Sequence, residues 1–192
     1  MLLLSKRLKT LVPDTNVHIF GYKSRALSLA QAAEQLAQFV ADTTKGESVS
    51  FIGHSLGGLI VRALDAHKRH PAPLHRLVTL GTPHQGASAA RFLSQSSIAH
   101  SLGGPVLKDL ATPNLSATPR TLEVGCIIGA TNTPIGFFPL LKGDNDGLVC
   151  VEEALFPAAK EEVRAPIFHG FFPFSKTAAL LASRFLVTGS FT

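Results

Sequence analysis

The run Gly53-His54-Ser55-Leu56-Gly57-Gly58 limits what this chain can fold into more than any other stretch. It follows the apolar segment Val49-Ser50-Phe51-Ile52 and opens an apolar helical pattern from Leu59-Ile60-Val61 to Ala63-Leu64. A strand, a tight turn and a helix with serine at the apex is the setting of the G-x-S-x-G turn. A serine held there has a strained backbone, and Gly53 and Gly57 leave room for the turn and for close helix packing. The geometry exposes Oγ and aims the N–H of Leu56, at the helix N-terminus, toward a developing oxyanion. A glycine-rich turn with an incidental serine would spell the same letters, so the rest of the chain has to decide.

At 192 residues the chain suits one domain, 1–192, with a substantial core. Its composition, 45% hydrophobic and 16% charged, is that of an ordinary globular protein and gives no case for disorder. The net charge of +5 is modest, and aromatic residues do not interleave with the basic cluster Lys6, Arg7 and Lys9. Charge alone does not make a nucleic-acid partner, and none is expected. Cys126 and Cys150 make no CxxC, and two buried reduced thiols are expected rather than a disulfide. No run reaches the ~18 apolar residues of a membrane span. Met1-Leu2-Leu3-Leu4 is too short for a signal-peptide core, and charge follows it instead of preceding it, so a cytoplasmic location is expected. No cluster suggests a metal or another cofactor. Oligomeric state is not legible.

Five strand candidates alternate with helices: Val17–Phe20, Val49–Gly53, Leu77–Leu80, Leu122–Ile128 and Val163–Phe168. They are short and apolar on both faces, as strands covered on each side should be. Ser28, with Gln31 three residues on, signals a capped helix whose stripe is Leu29, Ala32, Ala33, Leu36, Phe39 and Val40. Further helices are expected over Leu2–Leu11, Leu56–Arg69, Val106–Leu110 and Phe174–Leu186. The pattern reads as an α/β fold with a mostly parallel sheet of about five strands flanked by helices. The looser segment 81–119, rich in Ser, Thr, Gly and Pro, is a candidate for covering an active site.

A serine nucleophile needs a base, and the base needs a third group to fix its tautomer. Lys142-Gly143-Asp144-Asn145-Asp146-Gly147-Leu148-Val149 lies downstream of the fourth strand candidate, and His169-Gly170 follows the fifth. The order serine, acid, histidine, each after a strand, is one of the known triad orders.

With these residues the chain resembles the lipase and esterase branch of the α/β-hydrolase superfamily over nearly its whole length. Four signatures carry the resemblance: Gly53–Gly58, Gly81-Thr82-Pro83-His84-Gln85-Gly86, Asn145-Asp146-Gly147-Leu148-Val149, and Ile167-Phe168-His169-Gly170. It implies a carboxylester hydrolase with Ser55 as nucleophile, His169 as general base, Asp146 rather than Asp144 as the acid, and Leu56 N–H as half of an oxyanion hole. The implied substrate is a small-molecule ester or lipid with an apolar acyl group. His54, His84, Phe137, Phe138 and Phe171 are the candidate substrate-binding residues, with ordinary packing the competing reading for the phenylalanines and a structural role for His54. A calcium site like that of related bacterial lipases is not expected, because Phe171 stands where they carry an acid.

One family feature is missing. An earlier strand ending in a His-Gly turn supplies the second oxyanion N–H in that family, and no His-Gly precedes Asp14. The fold is therefore expected to be N-terminally truncated relative to the family, with translation starting upstream of Met1. The alternative is a short hydrolase whose second donor comes from elsewhere, such as the loop Gly81–Gly86. Loss of one oxyanion donor costs on the order of 10²–10³ in turnover. Acyl transfer or thioester cleavage by the same residues, and a non-catalytic relative that uses the fold for binding, are the other readings.

Overall fold

Four parallel strands in the order β1-β2-β3-β4 form the sheet in the computed structural model: β1 Val49–His54, β2 Leu74–Leu80, β3 Glu123–Gly129 and β4 Glu161–Ala165. The structure describes residues 1–23, 26–66, 70–95, 104–115, 118–132 and 141–192. Because the strands are parallel, their C-terminal ends share one rim, where His54, Leu80, Gly129 and Ala165 stand. That rim is where open α/β sheets present their ligand-binding loops.

Period-two alternation divides the sheet between two apolar layers. On one face Leu77, Val124, Cys126 and Ile128 pack with helices α2 (Leu29–Thr44) and α3 (Leu56–Asp65). On the other, Val78, Leu80, Ile127 and Ala165 pack with Leu4 and Leu8 of α1 (Leu2–Leu11) and with Ala178, Ala182 and Phe185 of the last helix, α7 (Lys176–Thr188). Between β2 and β3 come α4 (Ser88–Ser94) and α5 (Val106–Ala111), packed on one another around Ala87, Ala90, Leu107 and Ala111. A one-turn helix, α6 (Val151–Ala154), precedes β4.

Local chemistry starts α2 where the sequence places it. Ser28 accepts a hydrogen bond from Gln31 N, and the Gln31 side chain accepts one from Ser28 N, closing a capping box. Its buried stripe is Leu29, Ala32, Ala33, Leu36 and Val40. The N–H of Leu29 also donates to Asp109 Oδ2 of α5 at 2.7 Å, which ties the two helices together.

Two expectations need correction. Val17–Phe20 is not a strand: among the described residues β1 is an edge, and residues 15–23 make no ladder. The segment is instead fixed by side chains. Val17 packs on the α1–α7 layer, while Phe20 lies 5.4 Å from Phe39 of α2 and stacks on Tyr22 at 5.6 Å. Apolar character put it against the protein, but a strand also needs a neighbour to share hydrogen bonds. The second correction concerns β4, which runs over Glu161–Ala165 instead of Val163–Phe168. It is the edge opposite β1, with Glu162 and Arg164 exposed, so its polar half escaped a search for apolar runs.

Candidate active site

Ser55 sits between the end of β1 and the first turn of α3 with φ 52° and ψ −121°. A non-glycine residue at positive φ outside the left-handed helical well costs ~1–3 kcal/mol and persists only where its surroundings over-determine it. Here they do. Ser55 N donates to Leu80 O at 2.9 Å, and Ser55 O accepts from Gly58 N at 3.1 Å and from Thr82 Oγ1 at 2.8 Å. Gly53 makes the turn possible, since a Cβ there would lie 2.5 Å from Gly58 N and 2.6 Å from its Cα. The hydroxyls of Ser28 and Ser175 are spent on capping their helices. Ser55 makes no such bond, so its Oγ is not committed to α3.

Asp146 and His169 form a buried pair. Their side chains meet at 2.7 Å between Asp146 Oδ2 and His169 Nδ1, and His169 N donates to Asp146 O at 2.8 Å. The other carboxylate oxygen, Oδ1, accepts from Leu148 N at 3.0 Å and Val149 N at 2.7 Å. A carboxylate so surrounded by donors is an acceptor, which puts the imidazole proton on Nδ1 and leaves the Nε2 lone pair outward. Asp144 does different work: its Oδ1 accepts from Asn132 N and Asn145 N and shapes the turn. Asn145 completes that turn through Gly147 N and Gly143 O.

The end of β2 joins the two halves of the site. Leu80 O holds Ser55 N, and the next residue, Gly81, abuts the pair. A Cβ on Gly81, whose φ is +55°, would lie 2.8 Å from Asp146 Oδ2 and 3.2 Å from His169 Nδ1. His54, the residue before Ser55, touches this pair as well: its Nε2 is 3.0 Å from His169 O.

The sequence model of the palmitoyl protein thioesterase family matches residues 1–118, more than half of the chain. The chain belongs to the palmitoyl protein thioesterase family. The matched part includes Ser55 and Gly81–Gly86; Asp146 and His169 lie beyond it and are joined to the site by the contacts just described. The fold of this thioesterase-family chain is similar to that of the mature lipase BlEst2 of Bacillus licheniformis, with a TM-score of 0.62, 22% identity and coverage of 86% of this chain and 76% of the lipase. It is similar, too, to the lin2722 gene product of Listeria innocua, with a TM-score of 0.61, 17% identity and coverage of 97% and 88%. Phospholipase PlaB of Legionella pneumophila matches with a TM-score of 0.61 and 18% identity, over 80% of this chain but only 40% of the phospholipase. No curated protein matches the chain in sequence. Family and fold together make the chain an α/β-hydrolase of the esterase and lipase type.

The remaining candidates distribute unevenly over this thioesterase-family fold. His84 is buried, stacked at 4.8 Å on Phe156, with both ring nitrogens engaged: Nδ1 is 3.1 Å from Arg62 Nη1 and Nε2 is 3.2 Å from Thr79 Oγ1. Arginine only donates, so His84 Nδ1 accepts and Nε2 carries the proton. Burial, reinforced by the Arg62 charge, pushes its pKa down to about 3. Arg62 in turn lies 4.1 Å over the Phe156 ring. Phe171, two residues after His169, is 64% exposed, whereas Phe172 is fully buried in the core. Phe137 and Phe138 lie outside the described residues. Cys126 and Cys150 are both free and buried. Among the described residues no group of three His, Cys, Asp or Glu is arranged to hold a metal ion, and no helix is long and apolar enough to cross a membrane. Sequence reasoning assigned Thr82 no role of its own and did not single out Phe156. The Gly-Thr-Pro-His run pointed at Thr82, but nothing in the sequence marked Phe156 as the platform for both Arg62 and His84.

Proposed function

We propose that this chain hydrolyses thioesters and carboxylic esters of apolar acyl groups, with Ser55 as nucleophile, His169 as general base and Asp146 as the acid that orients it. The observation that carries the reading is the buried Asp146–His169 pair, 2.7 Å between Oδ2 and Nδ1, on the same rim as the strained turn of Ser55. With Nδ1–H held by Asp146, Nε2 takes the Ser55 proton as Oγ attacks the acyl carbon. Leu56 N–H, in the unpaired first turn of α3, donates to the oxyanion. Collapse expels the thiol or alcohol, which leaves with the proton from His169, and an acyl-serine remains. Water, deprotonated by the same nitrogen, then releases the acid and restores Ser55. The family supports the thioester as a substrate class, and exposed Phe171 offers apolar surface beside the base.

The test is hydrolysis of p-nitrophenyl butyrate and palmitoyl-coenzyme A by the wild type, Ser55→Ala and His169→Ala, with a fluorophosphonate label alongside. Either substitution is expected to remove nearly all turnover, because triad members act as a unit. Equal rates in the three proteins, or undiminished labelling of Ser55→Ala, would reject the proposal. Adding an alcohol acceptor separates hydrolysis from acyl transfer by the product formed.

A further inference from the structure

We infer that His54 is a positioning residue: its imidazole ties the strand that carries Ser55 to the main chain of His169, and so sets the separation of nucleophile and base. The inference rests on the hydrolase reading proposed above. His54 ends β1 and directly precedes Ser55. Its Nε2 lies 3.0 Å from the carbonyl oxygen of His169. A carbonyl only accepts, so Nε2 donates. The two imidazoles are 4.9 Å apart at 42°, and the buried ring of Phe172 is 6.0 Å from His54 at 47°. The side chain is thus fixed against both the base and a core aromatic.

Two hydrogen bonds, from Nδ1 to Asp146 Oδ2 and from N to Asp146 O, join His169 to the loop of Asp146, and its carbonyl opens the 3-10 turn His169–Phe174. His54 supplies the restraint from the nucleophile's own strand, one residue from Ser55. Its charge state suits the task. Burial pushes its pKa down to about 4; His169 and the Met1 amino group act in the same direction, while the bond to the His169 carbonyl and the Asp146 charge oppose. At neutral pH the ring is uncharged. It therefore lies against His169 without repelling the imidazolium that forms during acyl transfer, as a lysine in its place would do.

The experiment compares His54→Gln, which keeps an N–H donor, with His54→Phe and His54→Met, which fill the space without one. The His169 titration is followed by NMR of its Cε1–H in a Ser55→Ala background, and kcat and KM for p-nitrophenyl butyrate are measured with Ser55 intact. His54→Phe is expected to lower kcat by ~10–100-fold with little change in KM, the pattern of a slightly misplaced base. It should also move the His169 midpoint away from the wild-type value, because the ring is held less firmly against Asp146. His54→Gln should restore most of both. The titration needs no turnover, so an inactive wild type would defeat the hydrolase reading while leaving the tether to be judged by NMR. If His54→Phe does not fold, His54→Met gives the same comparison. A folded donor-free variant with the wild-type midpoint, or a Gln variant no better than Phe, would overturn the inference.

Discussion

Asp146 occupies the space that a side chain on Gly129 would fill. Gly129 ends β3, and a Cβ there would overlap Asp146 Cβ and come within 2.6 Å of Ile167 O. Asp146 is therefore seated flat on the strand end, and the loop carrying His169 passes beside it. Position 129 must be bare for the Asp146–His169 pair to exist in this geometry.

Gly129→Ala is accordingly expected to damage both stability and chemistry. Neither obstructing atom is the end of a flexible side chain, so the loop itself has to move. Overpacking of this kind costs ~1–3 kcal/mol. Urea unfolding should show a loss in that range, and turnover in the folded fraction should fall because Asp146 no longer meets Nδ1. Wild-type stability and rate together would contradict the packing described.

Two glycines of the same motif should respond in opposite ways. Gly53→Ala drives a methyl into the backbone of Gly57 and Gly58, whereas a Cβ on Gly57 meets nothing within 4 Å. The first is expected to lose ~1–3 kcal/mol. The second sits within α3, where Ala is favoured over Gly by ~0.5–1 kcal/mol, and should be neutral or stabilising. Paired denaturation curves decide.

Stability should decline as pH falls from about 6.5 toward 4. Burial holds the folded pKa of His84 at about 3 and that of His54 at about 4, while an unfolded imidazole titrates near 6.5. In that window the unfolded chain binds more protons, so stability rises with pH and is complete above the unfolded value. Each group contributes a slope of up to ~1.4 kcal/mol per pH unit. His84→Gln, which has a donor and an acceptor for Thr79 and Arg62, should flatten the slope in urea melts between pH 4.5 and 6.5. An unchanged slope would mean that His84 is not buried neutral.

Both thiols should be silent in the native protein. Burial pushes the Cys126 thiol up to about 12 and raises that of Cys150, and thiolate is the reactive form. An aromatic disulfide reagent should register neither at pH 8 and both, two per chain, in guanidinium. Rapid native reaction would show that one is reachable.

How much of this was legible depended on whether the determinant was local. The capping box at Ser28 and Gln31 and the bounds of α1 rest on neighbouring residues and read directly from sequence. The Ser55 turn did as well, because its glycines lie within the motif. Val17–Phe20 failed because strand pairing is decided by a partner elsewhere, and its half-buried Val17 and Phe20 satisfy packing without a ladder. At the site, the order of Ser55, Asp146 and His169 was visible, but the clearances at Gly81 and Gly129 were not. Those depend on which backbone passes over which, and glycine carries no pattern that says so. The Arg62–His84–Phe156 stack was hidden for the same reason, as it joins residues from three distant segments.

The tension in the backbone at Ser55 has a price for the molecule as a whole. Glycine adopts φ 52° without penalty, and Ser55 lends its hydroxyl to no helix cap, so Ser55→Gly removes the strain while giving up little in return. The result would be a sturdier protein, with a higher melting temperature and, under the proposed function, no turnover. On the proposed function, durability at that one residue is exchanged for a hydroxyl held at the ready.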